Sequence, residues 1–199
     1  MSASIRWSRV FYLAALLAVF GGPGFGAAIA PEEDEPFLPG LTANYRDPSG
    51  TTVSRPDYQL SFHWGDAPPD PRLGAGDFAG IWQGNVQTLT KGDYRFFVFG
   101  TGEIELKVAG QVVITRNALK NEWRESTATP LPADLVPFEL SFRRTTADAR
   151  LMVCWSGPDF GLEPIPPHAL YHPRERTIKD DFARGAALAR TLRCGRCHG

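Results

Sequence analysis

The chain is poor in cysteine, in long hydrophobic runs and in excess basic charge, and each shortage excludes a class of protein. Three cysteines in 199 residues are too few for a disulfide scaffold. The longest apolar run, Val10–Phe20, is shorter than the ~20 residues of a transmembrane helix. The 21 basic residues do not outnumber the 22 acidic ones, so we expect no nucleic-acid partner.

The first 28 residues have the pattern of a secretory signal peptide. Arg6 and Arg9 precede the apolar run, a Gly- and Ala-rich stretch follows it, and no acidic residue occurs before Glu32. Cleavage after Ala28 would leave small residues before the cut. An uncleaved membrane anchor is the alternative; after cleavage we expect no stable membrane span. Either interpretation places the remaining chain in the periplasm or otherwise outside the cytoplasmic membrane.

Residues 29–40 are acidic and proline-rich, which predicts a linker. From residue 41 to 173, short runs of alternating apolar and polar residues are separated by Gly, Pro and Asp. In Glu103–Val108 the apolar and charged side chains fall on opposite faces of a strand, and a turn is predicted before it at Gly100-Thr101-Gly102. Many short strands with no helical pattern between them predict a mainly β fold, an antiparallel β-sandwich.

Aromatic residues divide into a predicted core and one exposed candidate. Trp82 and Tyr94 fall within predicted strands and are expected in the core. Trp123 lies in a polar stretch and is the candidate for stacking on a sugar, although single exposed aromatic residues are also common without any such role. Cys154, inside an apolar run, is expected to be a buried, unreactive thiol.

Several short motifs in this region occur in an order that indicates a known family. They are Asp77-Phe78, Trp82–Val86, Gly92–Phe96, Leu106–Gly110, and Leu151–Trp155 followed by Pro164-Ile165-Pro166. Together they resemble the anthrax-protective-antigen-type β-sandwich domain over about residues 40–172. The resemblance implies a domain type found in adhesins, glycosidases and toxins, some of which bind carbohydrate through a calcium ion held by adjacent aspartates. It therefore suggests a polysaccharide or glycan partner.

The chain departs from that family at the calcium-binding motif. No Asp-Asp pair occurs between residues 41 and 173, and Ala109 stands where the family usually has Asp before Gly. Calcium-dependent sugar binding is therefore not expected.

The last residues form a C-x-x-C-H motif, the attachment signature of haem c. Cys194 and Cys197 would each form a thioether to the haem, and His198 would be an axial ligand of its iron. Helical spacing over residues 178–193 predicts a helix that resembles the first helix of class I cytochromes c, so residues 174–199 are expected to be the N-terminal fragment of such a domain. No methionine follows the motif, and we expect the haem domain to continue beyond Gly199.

Two other interpretations of the motif stay open. The two cysteines could form a redox disulfide, although the βαβ context of such motifs is missing from the sequence pattern. Alternatively, His168 and His172 could join Cys194 and Cys197 around a zinc ion.

The predicted function is that of an exported c-type cytochrome that transfers electrons to a redox partner protein and carries an N-terminal β-sandwich recognition domain. The alternative is a carbohydrate- or surface-binding module whose haem portion is incomplete or non-functional. The sequence contains no nucleophile–base or paired-carboxylate arrangement that indicates catalysis, so the chain is expected to be an electron carrier rather than an enzyme. Electron donation to a downstream oxidoreductase domain of a larger protein is the alternative.

Overall fold

The computed structural model describes residues 36–174 together with Gly185 and Leu188. This part of the chain contains twelve β-strands, and the strand pairs are antiparallel. The strands are β1 (Phe37–Pro39), β2 (Leu41–Arg46), β3 (Thr52–Asp57), β4 (Ser61–Gly65), β5 (Ala79–Gln87), β6 (Gly92–Val108), β7 (Gln111–Glu125), β8 (Thr129–Leu131), β9 (Leu135–Arg143), β10 (Ala149–Gly157), β11 (Phe160–Pro164) and β12 (Leu170–Pro173). A short 3-10 turn, Pro167–Ala169, precedes β12.

The strands form two layers that share β6. The first half of β6 pairs with β10, and the second half pairs with β9. One layer therefore has the strand order β3–β2–β5–β9–β6. In the other layer, β4 and β11 both pair with β10, and β10 pairs with β6. β7 pairs with β6 along both halves. A single hydrogen-bonded network thus folds over itself into a sandwich, which confirms the predicted mainly β, antiparallel fold class.

The turn predicted at Gly100-Thr101-Gly102 is wrong, because β6 continues through these residues as one strand. At this position β6 passes from one layer to the other in close contact with neighbouring backbone. A Cβ atom at Gly100 would lie 2.6 Å from the Arg150 carbonyl oxygen, and one at Gly102 would lie 2.7 Å from that of Arg143. Gly102 also has a φ of 142°, which L side chains rarely adopt. The glycines therefore permit a close crossing rather than a reversal of the chain.

Aromatic side chains join the two layers across the core. Trp82 of β5 stacks on Phe62 of β4, with ring centroids 5.5 Å apart, and Trp64 of β4 lies 5.1 Å from Phe142 of β9. Trp82 and Tyr94 are 0% and 2% exposed, so the prediction that both belong to the core is confirmed. Packing of large aromatic rings between sheets supplies much of the buried apolar area.

A buried polar network, which no sequence pattern predicted, connects β2, β3 and β5. The carboxylate of Asp57 accepts hydrogen bonds from Tyr45 Oη (2.5 Å), Trp82 Nε1 (2.9 Å) and Arg55 Nε (2.8 Å). Arg55 Nη1 also donates to Asp70 Oδ2, 3.3 Å away in the loop that follows β4. Arg55 and Asp57 are two residues apart on β3, so both side chains lie on its inner face. This spacing of opposite charges is the signal in the sequence that could have indicated their ion pair.

Some predicted segments differ from the structure or lie outside the described residues. Phe37–Pro39, within the predicted linker, forms β1, where Leu38 pairs with His172 of β12. The signal peptide at residues 1–28 lies outside the described part. So does the helix at 178–193, except for Gly185 and Leu188, which have helical conformation. Within the described residues, no helix has the length and hydropathy needed to cross a membrane.

Candidate binding surface

One outer face of the sandwich carries aromatic side chains. β6 alternates between buried residues such as Phe96 and the half-buried Phe97 and Phe99, which therefore point away from the core. Trp123 of β7 and Met152 of β10 each lie directly opposite Phe99 in an antiparallel pair, so both share its side of the sheet. We call Phe97, Phe99, Trp123 and Met152 the outer aromatic face.

Trp123 is the most exposed member of this face. Its side chain is 46% exposed, and its ring centroid lies 5.2 Å from that of Phe99 at an interplanar angle of 48°. Contact with Phe99 restricts the indole while much of the ring surface stays in water. A held, flat and partly exposed indole is suited to lie against the apolar face of a sugar ring. The role predicted for Trp123 stays a prediction, but the residue is placed where that role is possible.

A β-bulge determines which side of the sheet Trp123 occupies. Leu119 is buried, and strict alternation would place Trp123, four residues later, on the same inner side. The register shifts between them, where Gly100 opposes Glu122 and Thr101 opposes Lys120, which leaves Asn121 as the extra residue. Asn121 has a φ of 62°, a conformation that asparagine tolerates better than most residues.

A row of polar side chains borders the outer aromatic face. His63 of β4 and Arg150 of β10 are directly opposite each other, and both bind the same carboxylate. His63 Nε2 donates to Asp148 Oδ1 (3.0 Å), and Arg150 Nη2 donates to Asp148 Oδ2 (2.5 Å). The hydrogen bonds from His63 and Arg150 hold the pKa of Asp148 below its usual value. The row therefore offers an ionised carboxylate and a guanidinium at the edge of the aromatic surface.

Two buried polar atoms, one of them in this row, have no hydrogen-bond partner among the described residues. They are Thr101 Oγ1 and Arg150 Nε, which belong to residues directly opposite each other on β6 and β10. Thr101 is only 8% exposed and follows Phe99 by two residues, on the same side of the strand. Unsatisfied buried polar atoms are uncommon in native proteins, and these two are enclosed by the surrounding side chains rather than open to a ligand.

Among residues 36–174, no two aspartates are adjacent in the sequence. Ala109 and Gly110 form the turn between β6 and β7 with φ values of 52° and 74°. No group of three or more His, Cys, Asp or Glu side chains in the described residues could hold a metal ion.

The cysteines and histidines of the predicted metal sites are only partly within the described residues. Cys194, Cys197 and His198 lie outside them, so the predicted haem site stays a prediction. His172 is buried and donates from Nδ1 to the Gly40 carbonyl oxygen at 3.0 Å. Cys154 is a free, buried thiol, and burial raises its pKa. A raised pKa keeps the thiol protonated, in agreement with the expectation that it is unreactive.

The comparisons with known proteins bear on the fold alone. No protein-family description matches the chain, and no curated protein matches it either. Solved structures do match. An anti-sigma factor domain-containing protein superposes with a TM-score of 0.64 at 22% identity, over 71% of this chain and 51% of that one. The chain thus spans about half the length of that protein.

Two other similar structures are sugar-binding domains by their descriptions. The PA14 sugar-binding domain from an RTX adhesin has a TM-score of 0.54 at 15% identity, over 68% of this chain and 99% of that one. The Epithelial Adhesin 9 A domain from Candida glabrata, in complex with Galb1-4GlcNAc, has a TM-score of 0.56 at 12% identity, over 71% and 92%. The described part of the chain is therefore a mainly β sandwich, and its fold is similar to those of PA14 and anti-sigma factor domains.

Proposed function

We propose that residues 36–174 form a carbohydrate-binding domain and that its ligand lies on the outer aromatic face. The observation that carries this proposal is the half-exposed indole of Trp123, held against Phe99 at the edge of a polar row. Two proteins of similar fold support a sugar rather than another ligand: the RTX adhesin's PA14 domain is a sugar-binding domain, and the Candida glabrata adhesin domain is in complex with Galb1-4GlcNAc.

The chemistry of the surface fits a polysaccharide without a bridging metal ion. The aromatic rings and Met152 offer an apolar strip for the C–H face of a sugar ring, and His63, Asp148 and Arg150 offer donors and acceptors for its hydroxyl groups. The strip extends over three neighbouring strands, β10, β6 and β7, so it suits a chain of sugars rather than a single residue.

Binding of the full chain to a panel of neutral, acidic and amino polysaccharides tests this proposal. For the polysaccharide that binds, Trp123→Ala should weaken binding about tenfold, because loss of ring stacking worth about 1.4 kcal/mol corresponds to that factor. Tyr58→Ala is the matched control, since Tyr58 is a 52% exposed aromatic residue outside the face. A chelator should leave the affinity unchanged.

Two results would contradict the proposal. One is the absence of binding to every polysaccharide of the panel by a chain that unfolds cooperatively on heating. The other is equal affinity of Trp123→Ala and the wild type, which would remove the outer aromatic face as the site.

We further propose that Cys194 and Cys197 carry covalent haem c with His198 as an axial iron ligand, in an exported protein that exchanges electrons with a partner. The C-x-x-C-H sequence supports this second function. Bound haem supplies one-electron chemistry, and the sugar-binding domain would hold it near a polysaccharide surface.

Co-expression with a haem-attachment system tests the second proposal. The wild type should retain a Soret band after denaturing extraction, and Cys194→Ala together with Cys197→Ala should abolish it. Cys154→Ala, which removes the third cysteine, should retain it. A double variant that keeps its covalent pigment, or a wild type that never acquires one, would refute haem attachment and leave the sugar-binding proposal standing.

A further inference from the structure

A cavity distinct from the outer aromatic face opens at the end of the sandwich where β6 begins and β10 ends. Its volume is about 210 Å³. Three aromatic residues, Tyr94, Trp155 and Phe160, form its apolar wall, with ring centroids 5.0–6.1 Å apart in all three pairs. We call it the end cavity. It is smaller than the ~300–1,000 Å³ typical of sites for drug-sized molecules, so it suits a small ligand or the head of a longer one.

Two carboxylates line the end cavity beside the aromatic wall. Asp159 accepts a hydrogen bond from Thr90 Oγ1 (2.5 Å), and Glu163 accepts one from Trp155 Nε1 (3.3 Å). Both donors are neutral, so neither bond compensates the negative charge. Among the described residues, no lysine or arginine forms an ion pair with either carboxylate. The cavity therefore combines an apolar wall with two solvent-exposed carboxylates that have no lysine or arginine partner, and the exposed imidazole of His168 also lines it.

The charge of Asp159 reaches Tyr94 in the aromatic wall. Burial raises the pKa of the Tyr94 hydroxyl, and the charge of Asp159 raises it further. A negatively charged ligand would be repelled here, and a neutral apolar ligand would gain nothing from the two carboxylates. An organic cation satisfies both features, because its charge is attracted by the carboxylates and by the ring quadrupoles, while its methyl or methylene groups contact the rings.

We propose that the end cavity binds a small organic ammonium ion, with Asp159 and Glu163 as its counter-charges and Phe160, Tyr94 and Trp155 as its apolar wall. This site is separate from the proposed sugar-binding surface and does not depend on it. A tetraalkylammonium head is the simplest ligand of this class, since it carries a full charge on an apolar body.

Choline and its neutral isostere 3,3-dimethylbutan-1-ol are the probes that test the proposal. The two molecules have nearly the same shape and differ in charge. In titration calorimetry with the full chain, choline should bind at least tenfold more tightly than the isostere, and added sodium chloride should weaken choline binding.

Glu163→Gln should weaken choline binding at least fivefold while leaving the isostere unaffected. The glutamine amide oxygen can still accept the hydrogen bond of Trp155, so this variant keeps the local structure. Glu105→Gln is the matched control, since it removes a carboxylate that pairs with Lys107 away from the cavity. Trp123→Ala should also leave choline binding unchanged.

Three outcomes would overturn the proposal: equal affinity for choline and the isostere, no choline binding by the folded wild type, or wild-type choline affinity in Glu163→Gln. None of these bears on polysaccharide binding at Trp123, so failure of this inference and failure of the proposed function are distinguishable.

Discussion

Asp57 is the residue on which the buried polar network depends. One carboxylate satisfies a phenol, an indole N–H and a guanidinium at the same time, and all four groups lie inside the sandwich. A buried charge pair contributes little when compared with an apolar replacement of both partners. Removing Asp57 alone is different, because Arg55 would stay buried with only its longer contact to Asp70, and the Tyr45 and Trp82 donors would lose their acceptor.

Asp57→Ala should therefore destabilise the fold by about 3 kcal/mol, since Arg55 would remain buried and lose its nearest anion. Urea unfolding followed by tryptophan fluorescence measures this difference. Asp93→Ala removes an exposed carboxylate and should change the free energy of unfolding by less than about 0.5 kcal/mol. Equal effects of the two substitutions would contradict the importance assigned to the network.

Glu139 predicts how stability depends on pH. Gln83 Nε2 and Lys107 Nζ donate to its carboxylate at 2.8 and 2.9 Å, and these hydrogen bonds hold the pKa of Glu139 below its usual value. A pKa that is lower in the folded than in the unfolded chain stabilises the fold above the unfolded value of about 4.3. That stabilisation is lost as the pH falls from there through the folded pKa.

The melting temperature of the wild type should therefore fall more steeply than that of Glu139→Gln as the pH is lowered from about 5 to about 3. Differential scanning calorimetry across this range provides the measurement. Parallel curves for the two proteins would mean that Glu139 does not contribute to the acid sensitivity.

Where two strands approach closely, a glycine between them cannot be replaced by a residue with a side chain without a loss of stability. β12 crosses so near to β5 that a Cβ atom at Gly84 would lie 2.2 Å from the Tyr171 carbonyl oxygen. This contact requires one strand to move if any side chain is added. Gly161 of β11 is the contrasting case, since a Cβ atom there would have no neighbour within 4 Å.

Gly84→Ala should consequently cost about 2 kcal/mol or more of stability, the effect typical of overpacking, while Gly161→Ala should be nearly neutral. Thermal unfolding of the two variants gives the comparison directly. If Gly84→Ala were as stable as Gly161→Ala, the close pairing of β5 and β12 would be incorrect.

The elements also show where alternation along the sequence is a sufficient guide and where it is not. Ile104, Leu106 and Val108 are buried as their period-two spacing predicts. Alternation fails at the crossing glycines of β6, where Gly100 and Gly102 look like a turn because glycine serves both purposes. It fails again at Asn121, since a bulge changes the side of every later residue and leaves no mark in the hydrophobic pattern.

At the scale of the whole molecule, the sequence predicted the sandwich and one member of the outer aromatic face, but not the face itself. Trp123 was recognisable from its polar neighbours. That Trp123 shares one face of the sheet with Phe99 and Met152 depends on strand order and register, which no local pattern encodes. The end cavity likewise joins residues from β6, β10 and β11. A C-x-x-C-H motif, by contrast, is readable without any structure because its ligands are contiguous.

The central claim is that a sugar chain lies on Trp123, and the indole N–H signals in a nitrogen–proton NMR spectrum test it most directly. The chain has five tryptophans, of which Trp82 and Trp155 are buried and Trp123 is half exposed. During titration with a bound oligosaccharide, the Trp123 signal should shift first and furthest, with Trp82 unchanged. A stationary Trp123 signal accompanied by a shift of Trp155 would contradict the claim and place the sugar at the end cavity instead.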